Sequence, residues 1–186
     1  MSQIKVSVLV GSLRQQSVTR KVARAFVSVA PPSLSCSFVE IRDLQHYNEE
    51  LEADLPASWK RFRGEIAACD ALLFFTPEFN RGMPGALKNA IDVGSRPWGK
   101  GVWAGKPASV VSQSYGGLGG MAAHHQLRQV LFGVGVVAMP HPEAYIGNAA
   151  SLFDEQGELI NPSTKEFAVG FMRAFDTWVE QQRRQA

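Results

Sequence analysis

The chain has 186 residues, 45% of them hydrophobic, and its 19 Lys and Arg against 17 Asp and Glu give a net charge of +2. A chain of this length can bury about 70% of the surface that its unfolded form exposes, so we expect one domain over 1–186 that needs neither disulfides nor a structural metal. The charges are dispersed and the apolar runs are far shorter than the roughly 20 residues of a membrane helix, which argues against a nucleic-acid binder and a membrane-spanning protein.

Short apolar segments alternate with helical patterns along the chain. In chain order we predict a strand at 4–10, a helix at 17–29, a strand at 34–40, a helix at 57–69, a strand at 71–76, a helix at 84–93, a strand at 108–113, a helix at 119–132, a strand at 134–139 and a helix at 163–182. Ser17 and Ser163 are predicted helix caps, and Pro84 is tolerated in a first helical turn. This alternation predicts an α/β fold in which helices cover both faces of a parallel sheet.

Two irregular stretches, 45–56 and 95–106, are long enough to form lids or contact surfaces. We predict that Trp98 and Trp103, both in the second stretch, are exposed. The sequence has only two cysteines, at 36 and 69, and they form neither a close pair nor a metal-binding spacing. This pattern favours a reduced, cytoplasmic protein without a metal site, and the amino-terminal strand is not expected to be a signal peptide.

Three loops are expected to meet where the first, third and fourth strands end. In an open doubly wound sheet, ligands bind beyond this edge, at the point where the strand order reverses. The first loop offers the hydroxyls of Ser12, Ser17 and Thr19, the guanidinium of Arg14 and the free N–H groups of the helix that it enters. This set fits a phosphate monoester, but an ordinary capped helix start with an exposed arginine would have the same sequence.

The loop after the fourth predicted strand is rich in glycine, which lets backbone approach a flat ligand closely. Its segment Gly117-x-Gly119-x-x-Ala122 matches the dinucleotide-binding fingerprint, yet no acidic residue ends the next strand to hold a ribose. A dinucleotide site of this kind stays an alternative. His124 and His125 follow directly, and because adjacent helical residues face different directions, at least one of them should lie on the surface.

Four ordered motifs span much of the chain. They are Gly11-Ser12-Leu13-Arg14-x-x-Ser17, Pro77-Glu78-Phe79-Asn80, Pro84-Gly85-x-Leu87-Lys88-Asn89-Ala90-Ile91-Asp92 and Gly105-Lys106-Pro107. In this order they resemble the NAD(P)H-dependent FMN reductases, a family that includes bacterial quinone reductases also described as chromate reductases. The resemblance runs from Ile4 to about Trp178. It implies a flavodoxin-like three-layer sandwich with strand order 2-1-3-4-5, bound FMN and a homodimer or homotetramer.

The resemblance also implies which residues hold the cofactor. The FMN phosphate would lie on Ser12, Arg14, Ser17, Val18 and Thr19. The isoalloxazine ring would lie against Pro77, Glu78, Phe79 and Asn80 on one side and against Ser114, Tyr115 and Gly116 on the other.

Two positions depart from the family pattern. The family usually has Tyr where this chain has Phe79, so a hydroxyl that could donate across a subunit interface is missing. Arg81 stands where the family commonly has small or aromatic residues. It is therefore a candidate for binding an anionic substrate or the nicotinamide nucleotide, and the alternatives are a solvated loop arginine or an inter-subunit ion pair.

The implied activity is that of an FMN-dependent NAD(P)H oxidoreductase. NADPH or NADH would transfer a hydride to FMN and leave, and a quinone or similar small acceptor would then take two electrons, a ping-pong sequence that needs no catalytic side chain. The scarcity of acids in the three loops favours a flavin that carries negative charge after two-electron reduction. The alternatives are a flavodoxin-type single-electron carrier and a flavin reductase that supplies reduced FMN to a partner.

Overall fold

A computed structural model describes residues 3–185 of the chain. Its strands and helices are β1 (Ile4–Val10), α1 (Val18–Ser28), β2 (Leu34–Val39), α2 (Ala57–Ala67), β3 (Ala71–Pro77), α3 (Gly85–Ser95), β4 (Pro107–Gln113), α4 (Met121–Gly133), β5 (Val137–Ala138), β6 (Ala144–Ile146) and α5 (Pro162–Gln185). Short 3₁₀ helices lie at Glu49–Glu52 and Ala149–Leu152. Within the described residues, no helix is both long enough and apolar enough to cross a bilayer.

The strands form a parallel sheet in the order β2-β1-β3-β4-β5, as predicted. The prediction of a single last strand over 134–139 is wrong. The two-residue β5 pairs with the start of β4, and β6, which the sequence analysis missed, pairs with its end. Pro140 and Pro142 stand between the two pieces, and because proline has no N–H to donate, the ladder cannot run through them.

Helices cover both faces of the sheet and give three layers. β3 is buried along its whole length, which explains why it appears in the sequence as a continuous apolar run. On one face, Phe26 of α1 packs edge-on against Phe75 of β3 and Phe171 of α5, with ring centroids 5.8 and 5.5 Å apart. On the other face, α2, α3 and α4 bury a second cluster around Trp59 and Phe62. The sheet is thus a rigid base for the loops at its carboxyl edge.

The prediction for the two tryptophans of the 95–106 stretch is correct for one and wrong for the other. Trp98 is 86% exposed, whereas Trp103 is buried in the core beneath α3. The Trp103 indole N–H donates to the Ile91 carbonyl at 2.9 Å, and its ring lies so close to Gly94 that a Cβ there would be 2.5 Å away. The stretch folds back because this polar indole edge finds a partner inside an apolar layer.

The predicted cap of α1 is confirmed, and the predicted cap of α5 is wrong. The Ser17 side chain accepts a hydrogen bond from the Arg20 N–H, as a cap of α1 should. Ser163 is not the cap of α5. The side-chain oxygen of Asn161 accepts from the Thr164 N–H at 2.9 Å instead, and the helix begins at Pro162 between them.

Candidate functional site

Three loops meet at the carboxyl edge of the sheet because β1, β3 and β4 are parallel neighbours. Val10 of β1 is paired with Phe75 of β3, and Pro77 at the end of β3 is paired with Gln113 at the end of β4. The chain leaves all three strands at this edge, so the loops after them adjoin one another. The order of the sheet reverses here, between β1 and β3, which is where ligands bind in folds of this class.

The loop between β1 and α1, together with the first two residues of α1, presents donors that the chain does not use, and we name residues 11–19 the anion loop. Ser12, Ser17 and Thr19 are buried, whereas Arg14 is exposed. The backbone N–H groups of residues 12–16 and of residues 18 and 19 donate to no acceptor within residues 3–185. Unpaired N–H groups and the positive end of α1 therefore converge on one place, which is the arrangement that binds a phosphate group.

One hydrogen bond joins the anion loop to the loop after β4. The Arg14 guanidinium donates to the Tyr115 hydroxyl across a donor–acceptor distance of 3.3 Å. Both side chains are exposed, and 101 positions separate them in the sequence. The group expected to bind a phosphate and a group expected to face a flat ring are thus close enough to contact the same ligand.

Gln113 is a site residue that the sequence analysis missed. Its side-chain NH₂ donates to the Thr19 hydroxyl at 2.8 Å, while its buried Oε1 has no hydrogen-bond partner within the described residues. A buried acceptor without a donor costs about 1–3 kcal/mol, so this atom is suited to a ligand that carries a hydroxyl or an N–H. A polar side chain at the end of an apolar strand was the available signal.

The loop after β3 is a tight hairpin. Phe79 N donates to the Gly82 carbonyl at 2.9 Å, and Gly82 N donates back to the Phe79 carbonyl at 3.0 Å. Asn80 and Arg81 form the turn with φ of 51° and 64°, the backbone of a two-residue type I′ turn. Left-handed backbone is uncommon for arginine, and here it places both exposed side chains at the tip of the hairpin.

Glu78 has a structural partner that its sequence position did not indicate. Its Oε2 accepts hydrogen bonds from the N–H groups of Ala122 and Ala123 in the first turn of α4, at 3.0 and 3.3 Å. Its Oε1 lies 3.5 Å from the Arg81 guanidinium. The carboxylate therefore stabilises the positive end of α4, and its negative charge is largely compensated where the sequence analysis expected a ring contact.

The glycines after β4 serve two different purposes. A Cβ on Gly119, whose φ is +61°, would lie 2.6 Å from the Tyr145 carbonyl carbon, so this glycine is required for contact with β6. A Cβ on Gly116 or Gly117 would meet nothing within 4 Å. The fingerprint glycine at 119 thus packs against protein backbone, which removes the support for a dinucleotide site there, while Gly116 and Gly117 leave open backbone at the site.

His124 and His125 point in different directions, as predicted. His124 is 1% exposed, packs against the Tyr145 ring with centroids 4.6 Å apart, and burial followed by the nearby Arg128 charge lowers its pKa to about 4. His125 is exposed, and its Nε2 lies 3.2 Å from the Tyr145 hydroxyl. His124 is therefore neutral near pH 7 and is a core residue.

The other predicted site residues lie in the same region. Val18 is the first residue of α1, and Pro77 ends β3. The Ser114 N–H donates to the Ile146 carbonyl and its hydroxyl to the Gly116 carbonyl, which holds the start of the β4–α4 loop in place. The free donors of the anion loop, the unpaired Gln113 Oε1 and the open glycines fit the phosphate, polyol and ring of FMN.

Comparisons with known proteins agree with this geometry. Residues 4–151 match the sequence model of the NADPH-dependent FMN reductases. A quinone reductase of Pseudomonas putida is 54% identical over 185 residues, covering 98% of this chain and 99% of its own length. A 2-hydroxy-1,4-benzoquinone reductase of Burkholderia sp is 40% identical over 180 residues, covering 97% and 98%.

The fold is shared with a solved structure of similar sequence. FerB of Paracoccus denitrificans, a flavoenzyme NAD(P)H:(acceptor) oxidoreductase, superposes with a TM-score of 0.91 at 41% identity, covering 96% of this chain and 98% of that one. Together these findings confirm the predicted flavodoxin-like fold, FMN as the cofactor and NAD(P)H as the co-substrate. The chain belongs to the NADPH-dependent FMN reductase family.

Proposed function

We propose that this protein passes two electrons from NAD(P)H, through bound FMN, to quinones or similar small acceptors. The anion loop is the observation that carries the proposal. Its unused N–H groups lie beside Arg14, and the Arg14 guanidinium donates to the hydroxyl of Tyr115 on the loop after β4. FMN, when bound, accepts a hydride from NAD(P)H and returns two electrons to an acceptor. Relatives described as quinone reductases support this choice of acceptor.

The chain would hold FMN with the residues that the sequence analysis named. Its phosphate would bind Ser12, Arg14, Ser17, Val18 and Thr19, and its ring would lie between Pro77, Glu78, Phe79 and Asn80 and the facing Ser114, Tyr115 and Gly116. We add Gln113, whose unpaired Oε1 can accept from a polyol hydroxyl. Because α4 compensates the Glu78 charge, Arg14 and Arg81 leave the site positive, which favours the approach of the NAD(P)H anion.

Three large side chains on the loops around the site are more than half exposed. Phe79, Tyr115 and Leu118 are 52%, 59% and 62% exposed. Apolar surface of this kind suits flat aromatic acceptors, and a large exposed patch marks a contact surface. We therefore propose a homodimer or homotetramer in which a second copy covers part of this patch.

The two cysteines support a reducing, cytoplasmic setting. Neither Cys36 nor Cys69 is in a disulfide. Burial raises the pKa of the Cys36 thiol to about 11, so it stays protonated and unreactive near neutral pH.

Absorbance spectroscopy tests the proposed function. The purified protein, loaded with FMN under anaerobic conditions, should lose its visible flavin absorbance on addition of NADPH and regain it on addition of benzoquinone, with one NADPH consumed per quinone (about 1:1). NADPH that persists after quinone is added would favour the single-electron carrier. Loss of FMN during gel filtration would favour a reductase that releases reduced FMN to a partner.

Replacing Phe79 by tyrosine restores the hydroxyl that the family usually has. Because the ring is half exposed, we expect the Kd for FMN to change less than about twofold and subunit association to tighten by about 0.5–1.5 kcal/mol, the value of one hydrogen bond. Sedimentation at low protein concentration measures the association. Phe132→Tyr, at the far end of α4 and 84% exposed, is the matched control. Equal effects of both substitutions would contradict an interface role for position 79.

Glu78→Gln is expected to lower the free energy of unfolding by about 1–2 kcal/mol, since it removes a partly buried charge from the N-terminus of α4. The carboxylate's contacts with Ala122 and Ala123 are the reason. Urea denaturation of the FMN-free protein measures the change. Arg81→Gln, which breaks only the exposed ion pair to Glu78, should cost about 0.5 kcal/mol or less. If both variants lost the same free energy of unfolding, the ion pair with Arg81, and not the contact with α4, would account for the contribution of Glu78.

We propose Arg81 as a contact for anionic substrates. Its side chain is 76% exposed and its pair with Glu78 is long, at 3.5 Å, so the guanidinium is free to bind another anion. Arg81→Gln should raise the KM for a sulfonated quinone about two- to fivefold, the effect of one exposed charge pair. The KM for uncharged benzoquinone is the control and should not change. An equal rise for both quinones would contradict charge recognition.

A further inference from the structure

Two side chains that point in opposite directions attach the hairpin after β3 to α4. Glu78, at the start of the hairpin, accepts from the first turn of α4. One turn further along the helix, the Oε1 of Gln126 accepts from the N–H of Met83, at the end of the hairpin, at 2.7 Å. Within residues 3–185, residues 78–83 form no other hydrogen bond to a different element. The hairpin is thus held at both of its ends by one helix.

The Gln126 amide fits closely against the hairpin. A Cβ on Gly82 would lie 2.7 Å from the Gln126 Oε1 and 3.4 Å from the Cδ and Nε2 of the same amide. The backbone of Gly82 is not left-handed, so an alanine at this position would be opposed by the amide and not by its own φ. Gln126 therefore contacts two consecutive residues of the hairpin.

The contact at Met83 is passed on to the residues that we propose to face the flavin ring. Met83 follows Gly82, and Gly82 exchanges two backbone hydrogen bonds with Phe79. On the other side of the site, α4 begins directly after the loop that carries Tyr115 and Gly116. The first two turns of α4 therefore fix the two sides of the ring site relative to each other.

The tip of the hairpin has little else to hold it in place. Phe79, Asn80 and Arg81 are exposed, and the Arg81 guanidinium reaches Glu78 only at 3.5 Å. Segments with few buried contacts open locally at a low cost in free energy. One short hydrogen bond from a neighbouring helix is therefore a large part of what keeps this hairpin in one position.

From these contacts we propose that Gln126 is a positioning residue for the ring site. It keeps the hairpin of residues 79–82 at the distance from the loop after β4 that the flavin ring and a flat acceptor require. It acts through the hairpin and supplies no group to the reaction. The inference rests on the proposed function and adds to it a residue that determines how tightly the acceptor binds.

Hydrogen exchange of the FMN-free protein tests the contact without turnover. In Gln126→Ala, the amides of residues 79–83 should exchange about two- to tenfold faster, because one hydrogen bond is lost. Alanine is a better helix former than glutamine, so α4 should keep its own protection. Gln129→Ala makes the same chemical change at another exposed position of α4. It is the matched control and should leave the exchange of the hairpin unchanged.

Kinetics and spectroscopy of the FMN-loaded protein test the effect on the site. In Gln126→Ala, the KM for benzoquinone should rise about two- to tenfold while kcat is unchanged. The visible circular dichroism of the bound flavin, which depends on the groups around its ring, should change as well. The Kd for FMN should change less than about twofold, because the anion loop binds the phosphate. Gln126→Glu keeps an oxygen that accepts from the Met83 N–H and should restore both the KM and the spectrum.

Gly82→Ala breaks the same contact from the hairpin side. Its methyl group would take the place of the Gln126 Oε1, so the KM for benzoquinone should rise as in Gln126→Ala. In the double variant the amide is absent and leaves room for the methyl group. The KM should then be no higher than in either single variant, a non-additive result that only a direct contact explains.

Four outcomes would overturn the inference. They are unchanged hydrogen exchange of the hairpin in Gln126→Ala, equal effects of Gln126→Ala and Gln129→Ala, additive effects of Gln126→Ala and Gly82→Ala, and a KM in Gln126→Glu as high as in Gln126→Ala. A wild-type protein that neither retains FMN nor oxidises NADPH would instead contradict the proposed function. The hydrogen-exchange result distinguishes the two failures, since it needs neither FMN nor NADPH.

Discussion

Arg14→Ala is expected to weaken FMN binding by about 1.5–3 kcal/mol, the range for a hydrogen bond to a charged group. This is a rise in Kd of about 10- to 150-fold. Arg14 is the exposed cation of a loop whose other donors are uncharged hydroxyls and N–H groups, so it is the charged group of the loop itself. Within the described residues its guanidinium forms a hydrogen bond only with the Tyr115 hydroxyl and no ion pair, so its removal leaves no carboxylate unpaired and should hardly change folding stability. Quenching of FMN fluorescence measures the Kd, and thermal unfolding of the FMN-free protein measures the stability.

Two further variants separate the charge of Arg14 from its contact with Tyr115. Tyr115→Phe removes the 3.3 Å hydrogen bond and keeps the cation, so the Kd for FMN should change much less than in Arg14→Ala. Arg14→Lys keeps the charge but cannot form two parallel hydrogen bonds with a phosphate, and an intermediate Kd is expected. If Arg14→Ala binds FMN as tightly as the unchanged protein, Arg14 does not contact the phosphate.

The sequence predicts the sheet and its edge well because local patterns determine them. A doubly buried strand such as β3 needs consecutive apolar residues, and the helices that cover it need an apolar face, so both appear in short windows of the chain. The observed helix ends lie within three residues of the predicted ones. The parallel topology then brings the ends of β1, β3 and β4 together, which is why the anion loop and the glycine-rich loop are found as neighbours.

Contacts between distant segments account for what the sequence could not predict. Glu78 stabilises α4 through residues 44 and 45 positions later, and Gln113 donates to Thr19 across 94 positions. Trp103 is buried because a carbonyl of α3 accepts its N–H. No short window of sequence contains the pairs that Glu78 and Gln113 form, and the burial of Trp103 depends on a residue 12 positions earlier. The fingerprint match at Gly119 was ambiguous for the same reason, since the backbone that this glycine approaches belongs to β6, which the sequence analysis missed.

Gly119→Ala is expected to lower the free energy of unfolding more than any other glycine-to-alanine change at the site. The new Cβ would lie 2.6 Å from the Tyr145 carbonyl carbon and 2.8 Å from its oxygen, and both are backbone atoms that cannot rotate away. Left-handed backbone costs an alanine about 1–2 kcal/mol, and displacing packed backbone costs about 1–3 kcal/mol more. We therefore expect the free energy of unfolding to fall by about 2–5 kcal/mol.

The same change should also weaken FMN binding, because the loop that contains Ser114 to Gly116 cannot keep its position against β6 when Gly119 moves. Gly117→Ala is the matched control, since its Cβ would meet nothing within 4 Å in the same loop. That variant should stay within about 0.5 kcal/mol of the unchanged protein, as surface substitutions do. Urea denaturation and FMN titration of both variants measure the difference. Equal stability of the two alanine variants would contradict the close packing of this loop on β6, and with it the reason why the open backbone at Gly116 is held at the site.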